Sequence, residues 1–297
     1  MKKGMVLTAI ILLLIGMFIS GCATAPKEGS VTYQIAGLEE EYVLDLDRFL
    51  EDYGVAFKQS YDTAVKINDG LTKFSELASK KTELKDTTNQ IITLAGQGIS
   101  YSPDNLEKEY FESINSCYLE RIKVLDNSGK VIENYQNFLS YGLLALKIRV
   151  SYSELLVQID SYTTFEEKQD VENSIKALNA ILSEVKAIRD TTIAAKELIS
   201  LDYQDKLVKW ADQYKEILDL SKQGWQKTGA ERDALFTLVN EKAANMGESL
   251  NSAEVEEQQK NWHYENIEKL DTASTSAFNE ANRQCTKAAE KYEELYG

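Results

Sequence analysis

Proline occurs twice in 297 residues, histidine once and cysteine three times. With two prolines and 15 glycines there are few places where a helix must stop, so the chain reads as long uninterrupted elements. Richness in Ala, Glu, Lys, Leu and Gln makes those elements helices. A single imidazole does not build a transition-metal site, and His263, in Asn261-Trp262-His263-Tyr264-Glu265, has no glutamate three residues before it. The paired Glu-x-x-His pattern of di-iron bundles is therefore missing, as are EF-hand spacing, a phosphate loop and a nucleophile elbow. Nothing here points to a catalytic residue, a cofactor or a metal, and the chain reads as non-enzymatic. A basic balance is lacking too: 33 basic against 48 acidic residues give −15. Such a field repels nucleic acid and anionic headgroups, which disfavours both as partners.

What is present begins at the N-terminus. Lys2 and Lys3 precede an apolar run from Met5 to Phe18, which ends on Ile19-Ser20-Gly21-Cys22. A charged start, an apolar core and small residues at a cut site describe a signal peptide. An uncleaved membrane anchor is the competing reading, but a bilayer core needs about 20 apolar residues and this run is shorter. The four closing residues resemble the lipobox of prokaryotic lipoproteins. That resemblance covers residues 1–22 only and implies cleavage before Cys22, whose thiol then carries a diacylglyceryl group. Loss of Lys2 and Lys3 leaves 31 basic and 48 acidic residues, a charge of −17. Two acyl chains anchor far better than one, since each buried methylene contributes about 0.8 kcal/mol. The expected place is the outer side of the cytoplasmic membrane, or an outer membrane if the host has one, because Ala23 stands where an aspartate commonly retains lipoproteins at the inner membrane. Residues 22–37, with Pro26, Gly29 and Ser30, lack helical periodicity and read as a lipidated flexible tether.

From Leu46 the apolar or small residues Leu50, Tyr53, Phe57, Ser60, Ala64, Ile67, Leu71, Phe74 and Ala78 recur at three and four, a heptad seam. It shifts to Leu84, Ile91 and Ala95, which predicts one helix over 38–97 with a local change of supercoil. Ser102-Pro103 is a helix start, and Tyr110, Cys117, Val124, Val131, Phe138, Ala145, Tyr152 and Ile159 then follow at every seventh position. Asn127-Ser128-Gly129 resembles a turn in isolation, but the unbroken register favours a continuous helix through it. Thr164 and Glu167 form a capping box. Val171, Ile175, Leu178, Leu182 and Val185 make the next seam, in whose register Arg189 and Lys196 would also fall, so a stutter or a break is expected. A fresh seam runs Tyr203, Leu207, Trp210, Tyr214 and Ile217, which leaves residues 166–246 as one helix or two. After a loop at 247–252, Ser252 caps a last helix with early Glu254, Glu256 and Glu257. Its seam is Ile267, Leu270, Ser274, Ala277, Ala281, Cys285, Ala288, Tyr292 and Leu295, and the small residues permit close approach. The fold class expected over 38–297 is all-α, an elongated antiparallel helical bundle or coiled coil of four to five long helices.

Cys117 and Cys285 both occupy seams. In an oxidising envelope they can pair and join the second helix to the last; otherwise they are two buried, unreactive thiols. The acidic runs Glu39-Glu40-Glu41, Glu166-Glu167 and Glu256-Glu257 sit near predicted helix starts, where the helix dipole accounts for them. Most aromatics fall in seams and fill the core, whereas Trp225 and Trp262 sit less clearly there and are the candidate surface contacts. Together these readings imply a lipid-anchored envelope scaffold or spacer, bound to the membrane through its anchor, meeting another envelope protein and open to self-association through its coiled coil. A ligand-binding or sensory bundle holding a small molecule between helices is the alternative.

Overall fold

The computed structural model describes residues 26–27, 29–246 and 252–296. The protein is all-α, and every regular element among these residues is a helix. In chain order they are α1 (Val31–Lys58), α2 (Ala64–Tyr101), α3 (Asn105–Glu167), α4 (Val171–Leu198), α5 (Asp202–Trp225), α6 (Gly229–Ala244), α7 (Ser252–His263), a π-helical turn (Tyr264–Glu268) and α8 (Lys269–Tyr296). The described residues fall into two compact units. Among the described residues, one takes in the chain up to Ser60, Thr72–Asn134 and the chain from Glu265 on; the other takes in Tyr61–Leu71 and Tyr135–Tyr264.

Several expected boundaries are corrected. Ser30 caps α1 by accepting from the Tyr33 amide, so the helix begins at Val31, inside the segment read as tether. The helix expected over 38–97 is two helices, because the chain leaves helical geometry at Gln59 and Thr63 Oγ1 accepts from the Lys66 amide to start α2. Gly70 allows Tyr61 to fold back onto α2, since a Cβ there would meet the Tyr61 ring. Ser102 does not open α3; its hydroxyl donates to Gly98 O at 2.7 Å, while Asp104 Oδ1 accepts from the Leu106 amide. Thr164 lies inside α3 and donates to Asp160 O, and Asp170 caps α4 instead. The span 166–246 forms neither one helix nor two: after the end of α3 it holds α4, α5 and α6. Through Asn127-Ser128-Gly129, by contrast, α3 runs without interruption.

In the first unit, contacts link α1 to α2, α2 to α3, α3 to α8, and α8 back to α1. Asp52 pairs with Lys80 at 2.6 Å, and the Phe57 ring meets Phe74. Asp126 pairs with Lys85 at 2.5 Å, and Phe111 fills the space above Gly98. Ser128 and Ser274 hydroxyls meet at 2.9 Å, and Tyr53 donates to Asp271 at 3.0 Å. Each step forward along one helix is a step back along its neighbour, so successive helices are antiparallel. The buried stripe of α2 keeps one register from Ile67 through Phe74, Leu77, Leu84, Thr88 and Ile91 to Ala95, with no shift of seam. Thr88 is tolerated there because its hydroxyl bonds back to Leu84 O at 2.8 Å. On α3 the buried positions come as neighbours, Tyr110 with Phe111, Cys117 with Tyr118, Val124 with Leu125, Val131 with Ile132, a face wide enough for two partner helices.

The second unit is built from consecutive helices joined by short links. Leu178, Ile181, Val185 and Ile188 of α4 pack with Leu155 of α3 and with Leu207, Ala211, Leu218 and Trp225 of α5. The α4 stripe keeps Leu178 and Val185 of the expected seam but takes Ser174, Ile181, Ile188 and Thr192 rather than Val171, Ile175 and Leu182. Arg189 and Lys196 therefore flank the seam and pair with Asp212 and Asp205 of antiparallel α5 at 2.6 and 2.5 Å, and no stutter is needed. The expected α3 seam is kept in part in this unit: Phe138, Ala145 and Ile159 pack against the core, but Tyr152 is 50% exposed and Leu155 is buried instead. Gln258 Oε1 of α7 accepts from the Tyr203 amide, and Gln259 donates to the Tyr141 hydroxyl, which is itself hydrogen-bonded to Tyr203.

Candidate functional site

The residues expected to act fall into three groups. Cys22 lies outside the described residues. Cys117 and Cys285 are joined in a disulfide with their Cα atoms 4.8 Å apart, a closeness that the small α8 residues Ser274, Ala281 and Ala288 allow. Trp225 is buried and is not an exposed contact, which corrects that expectation. Trp225 lies seven residues after Leu218 and fourteen after Ala211, so it extends a buried stripe. Its indole N–H donates to Tyr162 Oη at 3.0 Å, the Arg232 guanidinium sits 4.3 Å from its ring, and Phe236 packs edge-on. Trp262 is half-buried and stacks on Phe138 at 5.9 Å, while His263 meets the rings of Tyr135 and Phe138 edge to face. Among the described residues no three His, Cys, Asp or Glu side chains gather to hold a metal ion.

A polar cluster inside the first unit was not foreseen. Because α1 starts at Val31, Glu39 stands in its third turn, away from the helix N-terminus, so the dipole does not account for it. Its carboxylate accepts from the Tyr118 hydroxyl of α3 at 2.9 Å. The Tyr42 and Tyr118 rings meet edge to face, and the Arg121 guanidinium lies over both, 5.0 and 4.8 Å from their centroids. Cation–π attraction of this kind holds a guanidinium without giving its N–H groups an acceptor. Arg121 Nη1 and Tyr42 Oη are both buried, and the Tyr42 hydroxyl is among the groups that favour the charged guanidinium. Both residues line a cavity of about 10 Å³ together with Asn282 of α8, the rest of the wall being Leu46, Val124, Phe278 and Ala281. That volume suits a body about the size of one water molecule.

The electrostatics follow from burial. Desolvation pushes the Glu39 carboxyl above its ordinary range, and the Tyr118 hydrogen bond and the Arg121 charge only partly oppose it. Burial pushes the Tyr118 phenol well up, and Glu39 adds to this. For Arg121 burial acts against the charge, but Tyr118, Tyr42 and Glu39 outweigh it, so the guanidinium stays charged. What the cluster offers is a buried guanidinium with the Glu39 carboxyl as its counter-charge, beside a small opening. The disulfide is one helical turn away on both walls, Cys117 four residues before Arg121 and Cys285 three residues after Asn282.

One signal could have revealed the cluster. Ile114, Arg121 and Ser128 repeat every seventh residue on the buried face of α3, and a charged residue in such a series needs a partner or a ligand. Compared with protein-family models, curated proteins and solved structures, the chain matches none.

Proposed function

We propose that the chain is a lipid-anchored cell-envelope lipoprotein that acts without catalysis, as a helical spacer or scaffold presenting its surface to another envelope protein. In this reading Cys22 carries the lipid, and the antiparallel helices form a bundle with coiled-coil seams. The observation that carries it is the Cys117–Cys285 disulfide, because such bonds persist in oxidising compartments outside the cytoplasm, where a lipobox sends a protein. The 63-residue α3 and its regular stripes give further support, since their buried area serves helix packing. The charge of the body keeps it off anionic headgroups, which suits attachment through acyl chains and binding to other proteins through its sides.

The test has two arms. Mass spectrometry of the protein taken from its own envelope should find Cys22 as the first residue, bearing fatty acid; an intact, unacylated N-terminus overturns the anchoring. Crosslinking in the same envelope, followed by identification of the attached chains, should recover a second envelope protein. Recovery of this chain alone removes the scaffold. A second reading, a bundle that senses a ligand between its helices, is favoured by the Arg121 cavity, but about 10 Å³ is far below the roughly 300 Å³ of an ordinary small-molecule pocket.

A further inference from the structure

We propose that the end of the first unit where α1 begins is a membrane-contact surface, which lays tyrosine rings in the headgroup layer of a zwitterionic bilayer. The inference rests on the reading of Cys22 as the lipid-bearing residue, and adds to it the face that meets the lipid.

Four helices meet at that end. Counting from the Asp52–Lys80 pair, antiparallel α2 brings its last residue, Tyr101, level with Val31. Tyr110 of α3 meets Tyr292 of α8, Tyr292 meets Tyr296, and the Tyr296 hydroxyl lies 3.4 Å from Thr32 Oγ1 of α1. Tyrosines thus gather where α1 and α3 start and α2 and α8 finish, and the packed ones hold the end rigid. Two others are exposed: Tyr33 by 50% and Tyr101 by 81%, with Pro103 exposed close by. A phenol has an apolar body and a polar tip, which suits the boundary between acyl chains and water. The tether brings that boundary within reach. Val31 follows Cys22 by nine residues, which span at most about 32 Å. A link that short keeps this end at a high effective concentration against the surface, so weak contacts from a few rings are enough. Charge then selects the lipid. Glu107, Glu109, Glu293 and Glu294 outnumber Lys108 and Lys291 at this end, so anionic headgroups are repelled and zwitterionic ones are accepted.

The experiment uses the chain from Cys22 onward, which keeps every described helix. With Cys117 and Cys285 joined, the Cys22 thiol is left for coupling to maleimide-headed lipid in phosphatidylcholine vesicles. That link forms whether or not the cell acylates Cys22, so a failure here strikes the contact surface, while mass spectrometry of the native N-terminus judges the anchoring. With brominated phosphatidylcholine as quencher, Tyr33→Trp and Tyr101→Trp should each lose emission that Val55→Trp keeps, since Val55 lies about 36 Å beyond Val31 along α1. All three positions are exposed, so the substitutions leave the packing in place. The unsubstituted chain gives the background from Trp210, Trp225 and Trp262. Phosphatidylglycerol in place of part of the lipid should lessen the quenching at low ionic strength. Equal quenching of Tyr101→Trp and Val55→Trp, no quenching beyond the background, or quenching that grows with phosphatidylglycerol overturns the proposal.

Discussion

The two units differ in how far along the chain the contacts that join their helices reach. In the second, α3, α4, α5 and α6 follow one another through links at 168–170, 199–201 and 226–228, and each packs against its neighbour in sequence. In the first, the bonds that join α1 and α3 to α8 connect residues far apart: Thr32 with Tyr296, Tyr53 with Asp271, Ser128 with Ser274, Cys117 with Cys285. Closing a long loop costs entropy before any contact repays it, so the first unit depends on its crosslink in a way the second does not. The difference teaches where a covalent bond is most useful: across the longest chain excursion, and here beside a charged group that packing alone holds poorly.

The sharpest way to break this comparison is to remove the crosslink. For a sequence separation of 168, the chain-entropy argument gives a loss of about 5 kcal/mol for Cys117→Ser with Cys285→Ser. Amide exchange should quicken at Phe111, Tyr118 and Ala281 and stay slow at Ile181 and Ile188; equal loss in both units would erase the distinction. Trp225→Ala makes the reverse experiment. Removing a buried indole with its Tyr162 bond and Arg232 contact should cost about 3–5 kcal/mol, read by urea unfolding, with exchange quickened in the second unit. Gly98→Ala tests close packing in the first unit. Its Cβ would meet the Phe111 ring, and a loss of about 1–3 kcal/mol in the same assay is expected.

The smallest effect concerns Glu39. A carboxyl whose pKa is higher in the folded than in the unfolded state takes up protons on folding, so its contribution is fullest below the ordinary 4.5 and is lost as pH rises through the folded value. Stability should therefore fall over that window, and Glu39→Gln should flatten the fall. Exposed Glu280 has the opposite sign: Arg283 and Gln284 hold it at about 2, so its contribution is present above 4.5 and is lost as pH drops toward 2. Comparison of wild type and Glu39→Gln above pH 4.5 isolates the first effect. An unchanged profile would show that Glu39 is not desolvated.

Period was easier to read from the residues than phase. In α4 the bulky Val171, Ile175 and Leu182 drew the expected stripe away from the real one, which shares Leu178 and Val185 with it but takes Ser174, Ile181 and Thr192. Hydropathy favours the larger side chain, but packing favours the phase that leaves Arg189 and Lys196 able to reach acids on α5. The break after Lys58 was masked because Phe57, Ser60, Ala64 and Ile67 keep seam spacing across it, even though Asp62 and Thr63 are capping residue types. Trp225 and the Arg121 cluster were missed for a related reason: a side chain with polar atoms reads as surface until its neighbours are known.

By itself the sequence determined the helical class, the unbroken course of α3 and the seam of α8, because scarce proline and a seven-residue repeat act locally along one helix. Tertiary structure alone decided which face of α4 turns inward, where α1 ends, and that Glu39, Tyr42, Tyr118 and Arg121 share one interior. Those outcomes depend on helices that are distant in the chain, and a side chain's solvation is set by what arrives against it, which no window of sequence contains.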